Sequence, residues 1–185
     1  MKSILLSIKP KYVELIASGD KTIEVRKTAP KEVPFKCYIY ETKGQYVKFT
    51  HGAHTKYGYG RGKVIGEFIC DKVYSIKNRG SSFSVADEEQ SVTNEIARQS
   101  CLYYDDMVSY FGNKDGYGWH ISDLKIYDKP KELGDFKKHC HYKDRNSYCL
   151  ANECEYYSDW TGICCNWVER PPLSWCYVED LGEEE

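Results

Sequence analysis

The sequence predicts a small, mostly closed β-barrel with peripheral helices, a mainly β fold of the α+β class. Three observations lead there. The chain carries about six runs with the period-two alternation of half-buried strands. Only short stretches of helical period separate them. Its 185 residues, 41% apolar and 29% charged, suffice for a single hydrophobic core without covalent staples. We read residues 1–185 as one domain, with a cysteine-rich insertion at about 139–170.

Lys2 to Ile8 reads as the first strand, and Pro10 then opens a helix in its first turn, where a missing N–H costs nothing. Val13, Ile16 and Ala17 make its apolar stripe, and Gly19 closes it. Thr22 to Arg26 is a strand with Ile23 and Val25 on one face and Thr22, Glu24 and Arg26 on the other, so a polar row should point outward. Cys37 to Thr42 is a third strand, followed by a long loop or hairpin over Lys43 to Gly62.

Lys63 to Ile76 is the longest β-rich segment, and Gly66 within it marks a bulge or sharp bend. Ser81 to Ser91 reads as irregular. Thr93 is expected to cap a helix running to Gln99, and Tyr103 to Phe111 a second one closed by Gly112. Tyr117 to Asp128 returns to strand, with Trp119 and Ile121 on one face and His120 and Ser122 on the other. Ser174 to Val178, after Pro171 and Pro172, is the last strand.

No stretch approaches the roughly 18 to 20 apolar residues that cross a bilayer, and the first apolar run passes directly into charge. A cytoplasmic protein without a membrane partner is therefore expected. Charge is polarised along the chain. Residues 1–80 hold 16 Lys and Arg against 7 Asp and Glu, whereas residues 81–185 hold 10 against 21. A basic half within a near-neutral protein suits a surface that meets a polyanion, with an ordinary solvated surface as the plain alternative.

The first constellation is Ser7-Ile8-Lys9-Pro10 together with Gly19 to Arg26. Strand, helix and strand bring a helix N-terminus, two lysines, a hydroxyl, a carboxylate and a guanidinium into one neighbourhood. Such groups satisfy phosphate oxygens and read the edges of bases and sugars. The alternative is that Glu24 merely pairs with Arg26 or Lys21 on a solvated face.

The stretch LSIKPKYVELIASGDKTIEVRK (6–27) resembles the ASCH domain family (activating signal cointegrator homology), a branch of the PUA-like β-barrels. YGWHISDL (117–124) and PPLSWCYVE (171–179) are similar to segments of its bacterial and phage members. The resemblance covers roughly residues 1–130 and 171–180 and leaves the cysteine-rich stretch outside. It implies RNA or nucleotide binding in a cleft beside the first helix, a role carried onto Ser7, Lys9, Pro10, Lys21, Thr22, Glu24 and Arg26. On our reading of the strand at 117–128, His120 and Ser122 would line the floor of that cleft. On this basis Lys21→Ala is expected to weaken RNA binding with little loss of folding.

The resemblance also implies a hydrolase as the second reading. Some small bacterial members deacylate N4-acetylcytidine with the lysine of a G-x-K-T motif, a threonine three residues later and a glutamate further on. Lys21 matches the lysine, but Glu24 stands where the threonine nucleophile would be, and threonine attack lacks its nucleophile. Other members are assigned ribonuclease activity. For that chemistry Lys21 would stabilise a phosphorane while Glu24 or His120 acts as general base. His120 has a plainer reading as a hydrogen-bonded histidine within or beside the core.

Two further signals remain. Tyr57, Tyr59, Arg61 and Lys63 combine aromatic faces with positive charge, a combination that stacks bases, although ordinary strand tyrosines account for most of the 17 in the chain. Of the nine cysteines, Cys37, Cys70 and Cys101 read as core filler, as does Cys176. Cys140, Cys149, Cys154 and Cys164 could enclose a structural Zn²⁺, but no C-x-x-C pair is present, and free thiols or disulfides are the alternatives.

Overall fold

The computed structural model describes residues 1–48, 56–80, 82–139, 157–158, 163–164 and 166–182, with the backbone alone at 48, 56, 157–158 and 163–164. In chain order the first half holds β1 (Lys2–Ile8), α1 (Pro10–Ala17), β2 (Ile23–Arg26), β3 (Phe35–Glu41), β4 (Gly44–Lys48), β5 (Lys56–Gly60), β6 (Val64–Cys70) and β7 (Val73–Asn78). The second half holds β8 (Phe83–Val85), α2 (Gln90–Ser100), α3 (Tyr104–Phe111), β9 (Gly116–His120), β10 (Ser122–Lys131), β11 (Tyr157–Ser158), β12 (Ile163–Cys164) and β13 (Trp175–Val178).

Two sheets build the body. One runs β10-β6-β3-β1-β13, with β1 parallel to β3 and antiparallel to β13; the other runs β2-β9-β7-β8. Between them lies the main core, where Ile4, Leu6 and Ile8 of β1 meet Phe35, Cys37, Phe68 and, from the other sheet, Trp119. The expected barrel is thus realised as two sheets facing across one core. Ile121, between β9 and β10, turns the chain from one sheet to the other, and its N–H donates to the Thr22 carbonyl at 2.9 Å.

Each sheet is also covered on its outer side, which is why so few strand residues reach solvent. Phe136 and Val168 pack on Leu5, Tyr38 and Val64 behind the first sheet. Helices α2 and α3 bring Ile96, Met107 and Phe111 onto Ile23, Val25 and Ile76 behind the second. The bend expected at Gly66 is present. The pairing register of β3 with β6 shifts beside it, and a Cβ on Gly66 would stand 2.4 Å from the Lys125 carbonyl oxygen.

Several local expectations shift. Helix α1 buries Val13 and Ile16, but Ala17 faces solvent and Tyr12 packs on the core instead. Helix α2 starts three residues before Thr93, whose Oγ1 accepts from the Val85 N–H at 3.0 Å. That bond ties the helix to β8 where a cap was expected. Residues 43–62 contain the β4–β5 hairpin, and β8 interrupts the stretch read as irregular. No helix among the described residues is long and apolar enough to cross a membrane.

Candidate functional site

Every residue of β2 is buried, on both faces. Ile23 and Val25 pack under α2 and α3. Glu24 lies opposite Trp119 in the pairing with β9, so its side chain shares the inner face of the sheet. Arg26 lies two residues on, on the same side. The polar row therefore points inward, into a cleft of about 730 Å³ between the start of α1, the end of β1, α3 and the Pro171-Pro172-Leu173 turn.

The chemistry at the floor is a chain of three ionised groups. Lys21 Nζ donates to the carbonyls of Ile23 at 2.7 Å and Ser100 at 2.6 Å, and stands 3.4 Å from Glu24 Oε2. Glu24 Oε1 accepts from Arg26 Nη2 at 2.9 Å, and Arg26 Nη2 also donates to the Ser7 carbonyl at 2.7 Å. Arg26 thereby ties the edge strand of one sheet to the end of β1 in the other. Its Nε is buried and has no hydrogen-bond partner.

Lys21 is only 2% exposed. Burial pushes its pKa below the ordinary lysine value, and the carboxylate of Glu24 offsets part of that shift. A neutral amine has two N–H donors and could serve the two carbonyls alone; it is the Glu24 carboxylate as third acceptor that favours the ammonium form. With two carbonyls and one carboxylate around it, its three protons are all engaged. Ser100 is the last residue of α2, so the lysine also closes that helix's C-terminus.

Aromatic rings and cations line the walls. The Tyr12 ring lies 4.5 Å from Lys11 Nζ and 5.4 Å from Lys21 Nζ, and the Tyr110 ring 5.1 Å from Lys27 Nζ. Lys9 and Lys27 are exposed at the rim. Asp106 and Ser109 of α3 add polar groups opposite α1.

The family model of the ASCH domain matches residues 6–161. The chain belongs to the ASCH domain family. Among solved structures it is similar to an ASCH protein from Zymomonas mobilis at a TM-score of 0.55 and 17% identity, over 96% of this chain and 88% of that one. Two mutant forms of the Zymomonas mobilis protein match at a TM-score of 0.54, with 16% and 17% identity; the alignments cover 97% and 96% of this chain and 91% and 89% of theirs. At these identities the likeness speaks for the fold alone, and it agrees with a PUA-like architecture. No curated protein matches the chain. The ASCH match ends at residue 161, within the cysteine-rich stretch.

Of the residues singled out in the sequence, the ASCH cleft brings together Ser7, Lys9, Lys21, Glu24 and Arg26. Pro10 is buried at the start of α1, against the hairpin rather than the cleft. Thr22 is absent from the lining, its backbone held by the Gln99 carbonyl and the Ile121 N–H.

His120 and Ser122 are not part of the cleft floor. His120 pairs with Ile23 and so takes the sheet face opposite to Glu24, where its Nδ1 meets Asp71 Oδ1 at 2.6 Å. Ser122 Oγ donates to the Ile69 carbonyl at 2.9 Å. The set Lys21, Glu24 and His120 is thus not assembled. The reason is the odd spacing of 120 against the pairing register, which is invisible until strand partners are known.

The ASCH cleft also contains residues that sequence reasoning passed over, namely Lys11, Tyr12, Lys27, Asp106, Ser109 and Tyr110. Lys11 and Tyr12, side by side at the start of α1, were the one available signal. The three from α3 carried none, because nothing local reports which strand a helix packs beside.

Cys140, Cys149 and Cys154 lie outside the described residues, as do the side chain of Cys164 and most of the stretch at 139–170. Among the described residues no cluster of His, Cys, Asp and Glu could hold a metal. Cys37 and Cys70 are buried in the main core, with burial pushing the Cys70 thiol up to about 12. Cys101 instead is half-buried, in the left-handed residue that ends α2, and Cys176 is half-buried beside Val178.

Proposed function

We propose that the protein binds single-stranded RNA, or a nucleotide within it, in the cleft beside α1. The observation that carries this reading is the buried, unpartnered Nε of Arg26 at the floor of a cleft ringed by lysines. A donor withdrawn from water without a partner is destabilising unless a ligand supplies the acceptor. Arg26 is then the direct contact. Glu24, fixed from both sides, keeps lone pairs for an N–H or O–H on a base or sugar. Lys21 acts as a positioning residue for Glu24. Lys9, Lys11 and Lys27 neutralise phosphates, and Tyr12 and Tyr110 offer ring faces for a base.

Calorimetric titration with a nucleoside monophosphate and with a short single-stranded RNA tests the assignment. Arg26→Lys keeps the charge but removes the Nε–H fork, and should weaken both ligands about tenfold or more. Lys27→Ala, at an exposed position, should weaken them without touching the fold. Parent-like affinity in both variants would refute the reading.

A second reading, hydrolysis of an acylated nucleoside or of RNA, is favoured by the lowered pKa of Lys21 beside Glu24. Incubation with acylated cytidines and single-stranded RNA should then give turnover that Glu24→Gln abolishes. Product-free incubations leave binding alone.

A further inference from the structure

The β4–β5 hairpin carries a second aromatic surface that the cleft does not use. Its register pairs Gln45 with Tyr59 and Val47 with Tyr57, which puts these four residues on one face. The other face is committed to α1. Tyr46 is hydrogen-bonded to Glu14, and its ring lies so close over Gly58 that a Cβ there would stand 2.4 Å from it. Tyr57 and Tyr59 are thereby turned outward, 57% and 72% exposed.

Three features suit this face to a nucleic acid strand. Residues two apart on a strand stand about 7 Å apart, roughly twice the 3.4 Å rise per nucleotide of a stacked strand. That spacing fits one base per ring on a stretched single strand. Lys43 and Arg61 flank the base of the hairpin, both exposed, with Arg61 Nε at 3.9 Å from Glu41. The hairpin also springs from the cleft itself. Gly60 packs on Pro10 and on the carbonyl of Thr42, a residue of the cleft wall.

We propose that the outer face of β4–β5 is a stacking platform for single-stranded RNA, extending the path of a strand whose nucleotide occupies the cleft. Tyr57 and Tyr59 each stack a base, while Lys43 and Arg61 neutralise phosphates. The platform rests on the reading of the cleft as a nucleotide site.

The test uses the full chain, a labelled single-stranded RNA of about ten nucleotides and, separately, cytidine monophosphate, which reaches only the cleft. Tyr57→Ala and Tyr59→Ala should each weaken the oligonucleotide about fivefold or more, Tyr→Phe at either position should restore it, and the mononucleotide should be unaffected. An oligonucleotide affinity unchanged in the double alanine variant, with mononucleotide binding intact, would overturn the platform and leave the cleft. Failure of the parent protein to bind either ligand would remove both. Sedimentation covers the remaining occupant: a parent dimer that the double variant dissociates, at unchanged RNA affinity, would assign the face to a second copy of the chain and overturn the platform.

Discussion

The Lys21 ammonium stands 3.4 Å from a Glu24 carboxylate oxygen, with 2% and 7% of the two side chains exposed. Desolvating two such ions is costly, and their attraction offsets the loss only when the remaining protons and lone pairs are also engaged. Here Ile23 and Ser100 take the other two lysine protons, and Arg26 donates to the second carboxylate oxygen. The arrangement fixes one carboxylate orientation at the floor of the cleft. It also joins α2 to β2 by the same lysine.

Removing one partner strands the others. Lys21→Ala leaves two carbonyls and a carboxylate without their donor, so it should destabilise the fold by about 3 to 5 kcal/mol, contrary to the mild effect that an outward-facing lysine would produce. Chemical denaturation of the variant measures this. A stability within about 0.5 kcal/mol of the parent, the range of ordinary surface changes, would show that the trio is not a structural unit.

The rim lysines behave differently because they are exposed. Lys9→Ala and Lys27→Ala should leave the unfolding midpoint unchanged while each lowers the salt dependence of RNA binding, by about 0.7 in the slope of log affinity against log salt. Anisotropy titrations at several salt concentrations give that slope. Identical slopes in parent and variants would place the phosphates elsewhere.

Gly66 is a packing constraint. A methyl group there meets the Lys125 backbone 2.4 Å away, and backbone cannot step aside as a side-chain tip can. Gly66→Ala should therefore lose about 1 to 3 kcal/mol or more and loosen the pairing of β6 with β10. Hydrogen exchange of the β10 amides reports this directly, and parent-like protection would contradict it.

Asp71 accepts a hydrogen bond from His120, which holds its carboxyl below the ordinary value of 3.8. A carboxyl depressed in the folded state contributes stability that is present above its unfolded value and lost as the pH falls through the folded one. The contribution therefore disappears below pH 3.8. Carboxyl NMR titration should give a midpoint under 3.8 in the parent and a return toward it in His120→Ala. A parent midpoint at or above 3.8 would dismiss the pair.

The periodicities of the chain determined by themselves that it is mainly β with small helices, where most strands lie, that Gly66 bends one of them, and that Lys21, Glu24 and Arg26 belong together. These are local matters, governed by alternation, glycine geometry and residues separated by two or three positions. What only the tertiary structure decided is the environment of each group. Alternation in β2 separates Glu24 and Arg26 from Ile23 and Val25 but does not tell which face meets solvent, and here helices from residues 90–111 cover the apolar side while α1, β1 and α3 enclose the polar one. The same limit hid the strand pairing that turns His120 towards Asp71, and the approach of Tyr110 to the cleft. Contacts between residues far apart in the chain depend on how sheets stack and which register they take, and no short window of sequence carries that information.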